Sequence, residues 1–104
     1  MLFDHSPDAH LLFGKGGVVD CNAGALRMFG VTNKESLIGL KMADLSPEFQ
    51  PSGRPSREMA REVVDAARRK SGRFDWVYRR LDGGAFPAEV SAIPDQVNGE
   101  IAML

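Results

Sequence analysis

Apolar and polar positions alternate most clearly between Arg73 and Ile93. Phe74, Trp76 and Tyr78 stand against Asp75, Val77 and Arg79, and Phe86, Ala88, Val90 and Ala92 stand against Pro87, Glu89 and Ser91. A period of two predicts two strands, and Asp82-Gly83-Gly84 between them supplies residues that tolerate the positive φ of a tight hairpin turn. The aromatic-bearing face is much the more apolar, so the rest of the chain has to cover it. On the other face Val77, Leu81 and Ile93 would form an exposed apolar patch. Arg79 and Glu89 are expected to pair across the hairpin, which for exposed groups is worth at most about 1 kcal/mol.

Upstream the pattern is shorter in range. His10–Phe13 and Val18–Cys21 read as short strands around the glycine-rich turn Gly14–Gly17. Asn22 precedes Ala23–Phe29 and predicts an N-cap, because its side-chain oxygen can accept from a free N–H of the first turn, and Gly30 is the matching stop. Thr32 or Asn33 can cap a second short helix over Lys34–Ile38 closed by Gly39, and Met42–Leu45 makes one more turn. Ser46–Pro55 holds three prolines and a glycine and predicts a loop with little regular structure. From Ser56 as N-cap, Met59, Ala60, Val63, Val64 and Ala67 recur at helical spacing, predicting a helix over 56–71 ended by Gly72. After Pro94–Gly99 a last run, Glu100–Leu104, completes an order of two strands, several helices and three strands. Such an order belongs to the α+β class, with the helices on one face of a sheet. Met1–Ala9 is polar and depends on docking for its order.

Composition narrows the function classes. A chain of 104 residues, 43% hydrophobic and 26% charged, fits one small domain with a modest core. A formal net charge of -1 leaves no electrostatic footprint for nucleic acid or a membrane surface, and Arg68-Arg69-Lys70 reads as a solvated helix end. Cys21 is the sole cysteine, so an internal disulfide, CxxC metal spacing and CxxCH haem attachment are all ruled out, and a reducing, cytoplasmic setting is expected. No apolar run approaches the about 20 residues of a membrane span.

Candidate chemistry is sparse. Asp4, His5, Asp8 and His10 are metal-ligand types, but histidines five residues apart share neither a helix face nor a strand face, so an exposed terminus is the better reading. Asp20, Asp75 and Glu89 lie nearest the strands without a His, Ser or Cys at nucleophile–base spacing, so no catalytic residues are assigned. What remains is the space between sheet and helices. Its expected walls are Phe29, Leu37, Met42, Leu45, Met59, Val63, Trp76, Tyr78, Phe86, Val90, Ile101 and Met103, with the polar tips of Trp76 and Tyr78 able to orient a ligand. A dry packed core is the alternative, and the adaptable methionines suit both.

Several segments in order carry a family resemblance: Phe3–Ala9, Val19–Asn22, Met28-Phe29-Gly30, Glu35–Gly39, Leu45–Ser56, Phe74–Gly83 and Phe86–Val90. Together they resemble a PAS domain, the sensory module of bacterial sensor histidine kinases, chemotaxis receptors and diguanylate cyclases. The resemblance spans nearly the whole chain. It implies a five-stranded antiparallel sheet in the order 2-1-5-4-3, with short helices and one longer helix over one face. It also implies that the last strand, central in that order, ordinarily runs on through an Asp-Ile-Thr-like ending into an output helix. Here it stops at Leu104. Residues 1–104 are therefore expected to be a single PAS sensor domain from a longer multidomain protein, with a truncated last strand and part of the first strand's edge unpaired.

The implied function is detection of a small-molecule or conformational signal and its relay to a covalently linked output domain. Alternatives are a ligand-free homodimerisation module, or a small enzyme with a cone-like cavity, which would need a buried acid such as Asp20 or Asp75. Homodimer contacts are expected through the N-terminal segment or the outer sheet face, with no nucleic acid and no direct membrane contact. No cofactor is expected, although an unidentified small ligand is compatible with the walls. Flavin photoreceptor members carry Asn-Cys-Arg-Phe-Leu-Gln after the third short helix, where this chain is proline-rich, and a histidine-ligated haem lacks its ligand because residues 56–71 hold no His.

Overall fold

The computed structural model describes residues 9–94 and 101–103. Five strands form one antiparallel sheet in the order β2-β1-β5-β4-β3: β1 Leu11–Gly14, β2 Gly17–Cys21, β3 Gly72–Arg79, β4 Ala85–Pro94 and β5 Ile101–Met103. Between β2 and β3 run a first helix, Ala23–Phe29, two 3-10 turns, Lys34–Ser36 and Met42–Leu45, and the long helix, Ser56–Arg69. Alternation decides which sheet face is covered. Leu11, Phe13, Trp76, Tyr78, Val90, Ala92, Ile101 and Met103 are buried in one cluster with Phe29, Leu37, Met42, Leu45, Ala60 and Ala67 from the helical segments.

Local chemistry fixes the connections. Asn22, fully buried, caps the first helix by accepting from Ala25 N–H at 3.0 Å, and the same oxygen accepts from His10 N–H at 2.8 Å, tying the start of β1 to the helix. Gly30 closes that helix at φ 73, a left-handed geometry that glycine adopts without steric cost. Asn33 caps the first 3-10 turn through Ser36 N–H at 3.1 Å. Gly17 has both positive φ, 108, and no room: a Cβ there would sit 2.6 Å from the Leu40 carbonyl oxygen. The close approach exists because Gly39 and Leu40 bond the outer edge of β2, Val18 N–H to Leu40 O and Gly39 N–H to Val18 O, both at 2.8 Å.

The proline-rich segment is more ordered than its composition suggests. Phe49 bridges Pro55, Gly53 turns the chain at φ 89, and Gln50 is carried inward to 5% exposure. Gln50 then behaves as a piece of strand. Its Oε1 accepts from Val77 N–H and its Nε2 donates to Val77 O, both at 3.0 Å, along the outer edge of β3, while Nε2 also reaches Ser56 Oγ at 2.9 Å.

Three local expectations are corrected. Ser56 is the first helical residue rather than the N-cap: Pro55 holds that place with no side-chain bond, because the Ser56 hydroxyl is turned inward to Gln50. Gly72 does not end the long helix. The backbone is already extended at Lys70, φ -157 and ψ 143, and Gly72 opens β3. Glu89 does not face Arg79, since the turn closes Arg79 onto Ala85 and sets Glu89 opposite Asp75. In the sheet centre β1 pairs with β5 at Leu11, Leu12 and Phe13, and β4 meets β5 at Ala92–Pro94.

Candidate functional site

The inner space is divided by what fills it. At one end Phe29, Tyr78 and Phe86 form an aromatic group, with ring centroids 5.3 Å apart for Phe29–Tyr78, 5.7 Å for Phe29–Phe86 and 5.9 Å for Tyr78–Phe86. Arg80 lies over Phe86 at 5.5 Å and donates to Met28 O at 3.2 Å, closing that end from outside. Deep under the sheet Leu37, Leu45 and Ile101 are essentially without exposure.

Openings lie around this packed centre. One of about 590 Å³ sits by the β3 edge, between Gln50, Pro51, Ser52, Met59, Trp76 and Ala88. A slot of about 430 Å³ runs past Ala9, Leu11, Met28, Tyr78, Val90 and Met103 and reaches Arg73, Glu89 and Ser91 of the outer face. A third, about 720 Å³, lies outside the sheet–helix core, between the long helix and the β1–β2 turn.

Polar tips inside this space differ in their freedom. Trp76 N–H donates to Ser46 Oγ at 2.8 Å, and that hydroxyl in turn donates to Met42 O at 2.7 Å, so the indole is already engaged. Tyr78 is 2% exposed, its hydroxyl makes no hydrogen bond among the described residues, and burial pushes its pKa well above the ordinary phenol value. No carboxylate is buried in this interior, although Asp75 and Glu89 border the opening at the β3 edge and Glu89 borders the slot. Asp20 is about half exposed and bonded to Lys34 Nζ at 2.9 Å, which with Cys21 N–H holds its carboxyl below the usual range, and Asp75 and Glu89 are exposed. Among the described residues no group of three or more His, Cys, Asp or Glu comes together; Asp4, His5 and Asp8 lie outside them.

The sequence matches the family model described as "PAS domain" over residues 7–103. The chain belongs to the PAS domain family. Solved structures agree in fold. A domain of the sensory box sensor histidine kinase/response regulator from Geobacter sulfurreducens is 23% identical with a TM-score of 0.72, over 98% of this chain and 84% of that one. The PAS domain of a LuxR-family transcriptional regulator from Burkholderia thailandensis, solved in complex with ethanol, is 20% identical with a TM-score of 0.73, covering 98% and 90%. The Rhodobacter sphaeroides LOV protein is 19% identical with a TM-score of 0.76, covering 98% and 60%. No curated protein sequence matches the chain. PAS domains are sensory modules common in signalling proteins, generally non-catalytic, usually part of multidomain chains and often dimeric. No helix among the described residues is long and apolar enough to cross a membrane.

The twelve expected wall residues of this PAS domain fall into groups. Met59 and Trp76 line the opening at the β3 edge, and Tyr78, Val90 and Met103 line the slot. Met42 faces the outer groove. Phe29, Leu37, Leu45 and Ile101 are buried core, against which Val63 and Phe86 pack. Sequence reasoning missed Ser46 and Gln50, the two buried polar side chains that engage Trp76 and Val77. Their partners lie about thirty residues along the chain, so no local spacing announces them.

Proposed function

We propose that this PAS domain is a cytoplasmic regulatory module in which a small, largely apolar molecule enters beneath β3 and β4 and biases the conformation presented to a covalently linked output domain. The observation that carries this reading is the Tyr78 hydroxyl: a nearly buried phenol that makes no hydrogen bond among the described residues, on the apolar wall of a slot whose mouth is polar. No buried side-chain polar atom among the described residues is left without a partner, so this hydroxyl keeps a sliver of solvent contact, and a ligand with one polar atom would replace that solvent with a fixed partner. The bias then follows from differential affinity for two arrangements of the sheet or of a dimer. Short-chain alcohols and small carboxylic acids are suitable probes. A compound at 100 times its dissociation constant adds about 2.7 kcal/mol to stability. A shift in melting temperature that is lost in Tyr78→Phe supports the reading, and a flat panel overturns it.

A second reading is a ligand-free dimer through the outer sheet face. Val19 and Ile93 are more than two-fifths exposed there, and Leu12, Ala102 and Ile93 lie in one row across the strands. Sedimentation of the protein against Ile93→Asp separates the two, since only the face dimer dissociates on that change. The N-terminal segment, the other expected contact, lies outside the described residues.

A further inference from the structure

We propose that the groove between the long helix and the β1–β2 turn receives an acidic polypeptide segment of a protein partner. The inference goes beyond the sensory reading and does not rest on it. Five cations stand around this groove, Arg57, Arg61 and Arg68 on the helix and Lys15 and Lys41 on the facing wall. All five are exposed, and none forms an ion pair among the described residues.

The acids nearby are occupied. Glu62 pairs with Arg54 and Asp65 with Arg69 at 2.6 Å, both arginines standing outside the groove; Asp44 only accepts from Lys41 N–H at 2.9 Å and keeps its charge, so the five cations stay in excess. A chain of formal net charge -1 thus collects a positive stripe in one place. Such a stripe attracts an anion and accelerates its docking.

Floor chemistry selects the kind of anion. Phe13, Met42, Ala60 and Val64 make the floor apolar, and from Arg57 to Arg68 the helix runs about 16 Å, room for about five residues of extended chain. Apolar side chains inserted between acidic ones fit that arrangement. Single-stranded nucleic acid relies on aromatic side chains for stacking, and Phe13, the one aromatic in the lining, is buried.

The test uses a fluorescent peptide of Glu-Glu-Leu repeats, with Gln-Gln-Leu repeats as the neutral control, read by anisotropy. Binding of the acidic peptide alone, weakening as salt rises, is expected, with about a tenfold loss in the double variant Arg57→Glu/Arg61→Glu. Lys15→Glu/Lys41→Glu, on the opposite wall, should lose as much and does not touch the helix. Unfolding midpoints near wild type are expected for both, because all four side chains are exposed. Equal affinity of wild type and both variants, no binding of the acidic peptide, or tighter binding of an oligothymidylate strand or of phosphatidylserine vesicles would each overturn the proposal. Tyr78→Phe should leave peptide binding unchanged, so this outcome and the fate of the small-ligand reading are told apart.

Discussion

Replacing Gln50 by leucine keeps roughly the size of a buried side chain while deleting three hydrogen bonds, two to the Val77 backbone and one to Ser56 Oγ. At a net worth of about 1 kcal/mol each, the three come to about 3 kcal/mol of lost stability. For a domain of this size that corresponds to a fall of about 12–24 °C in the melting midpoint. Trp76, the only tryptophan and 2% exposed, gives a fluorescence signal for a urea titration. The Val77 amide supplies a local check, because its hydrogen-exchange protection should drop more in the variant than that of Ala92 in the sheet centre. A variant within about 0.5 kcal/mol of wild type, the range of ordinary surface changes, would refute the claim that this side chain completes the β3 edge.

Ser46→Ala should leave the buried indole N–H without an acceptor, costing about 1–3 kcal/mol and changing the Trp76 emission of the native state, as equilibrium unfolding and steady-state spectra will show. Tyr78 is the only tyrosine, so its titration can be followed by absorbance without overlap. Because burial raises its folded pKa above the unfolded value of about 10, stability is expected to hold below pH 10 and to decline above it, and Tyr78→Phe should flatten that alkaline limb at little cost near neutrality. Asp20 runs the other way. Its carboxyl is depressed chiefly by the hydrogen bond from Lys34, so the pair stabilises above the unfolded pKa of about 3.9 and is lost as pH falls through the lower folded value. With both side chains more than two-fifths exposed, the effect is under about 1 kcal/mol, and Lys34→Met should remove most of it from an acid unfolding curve.

Features governed by short-range rules were legible in the sequence. The two-residue period put Trp76 and Tyr78 on the covered face, and side chains acting three residues along made Asn22 and Asn33 recognisable as caps. Family pattern supplied the strand order, which no periodicity contains. What escaped notice depends on distant partners. Gln50 in a proline-rich loop has no local mark of a strand-completing role, and Ser56 looked like a cap because its inward partner was unknown. Arg79 and Glu89 were matched by charge, but the Arg80–Gly84 turn, closed by Arg80 N–H to Gly84 O at 2.8 Å, sets the register instead and leaves two acids face to face. The wall residues were grouped by polarity alone. That grouping could not separate Leu37 and Leu45, locked in the interior, from Met59, which borders an opening.

Both outermost strands of this sheet carry a blockade made from connecting chain, Leu40 and Gly39 against β2 and the Gln50 amide against β3. Lateral annealing of one sheet onto another is thereby denied at those points, and copies that associate there are steered toward stacking their broad surfaces. The same blockades are built from segments without long regular structure. Any stress that loosens residues 39–40 or 50 would bare fresh strand margins, making these two connectors the places where a loss of solubility would begin.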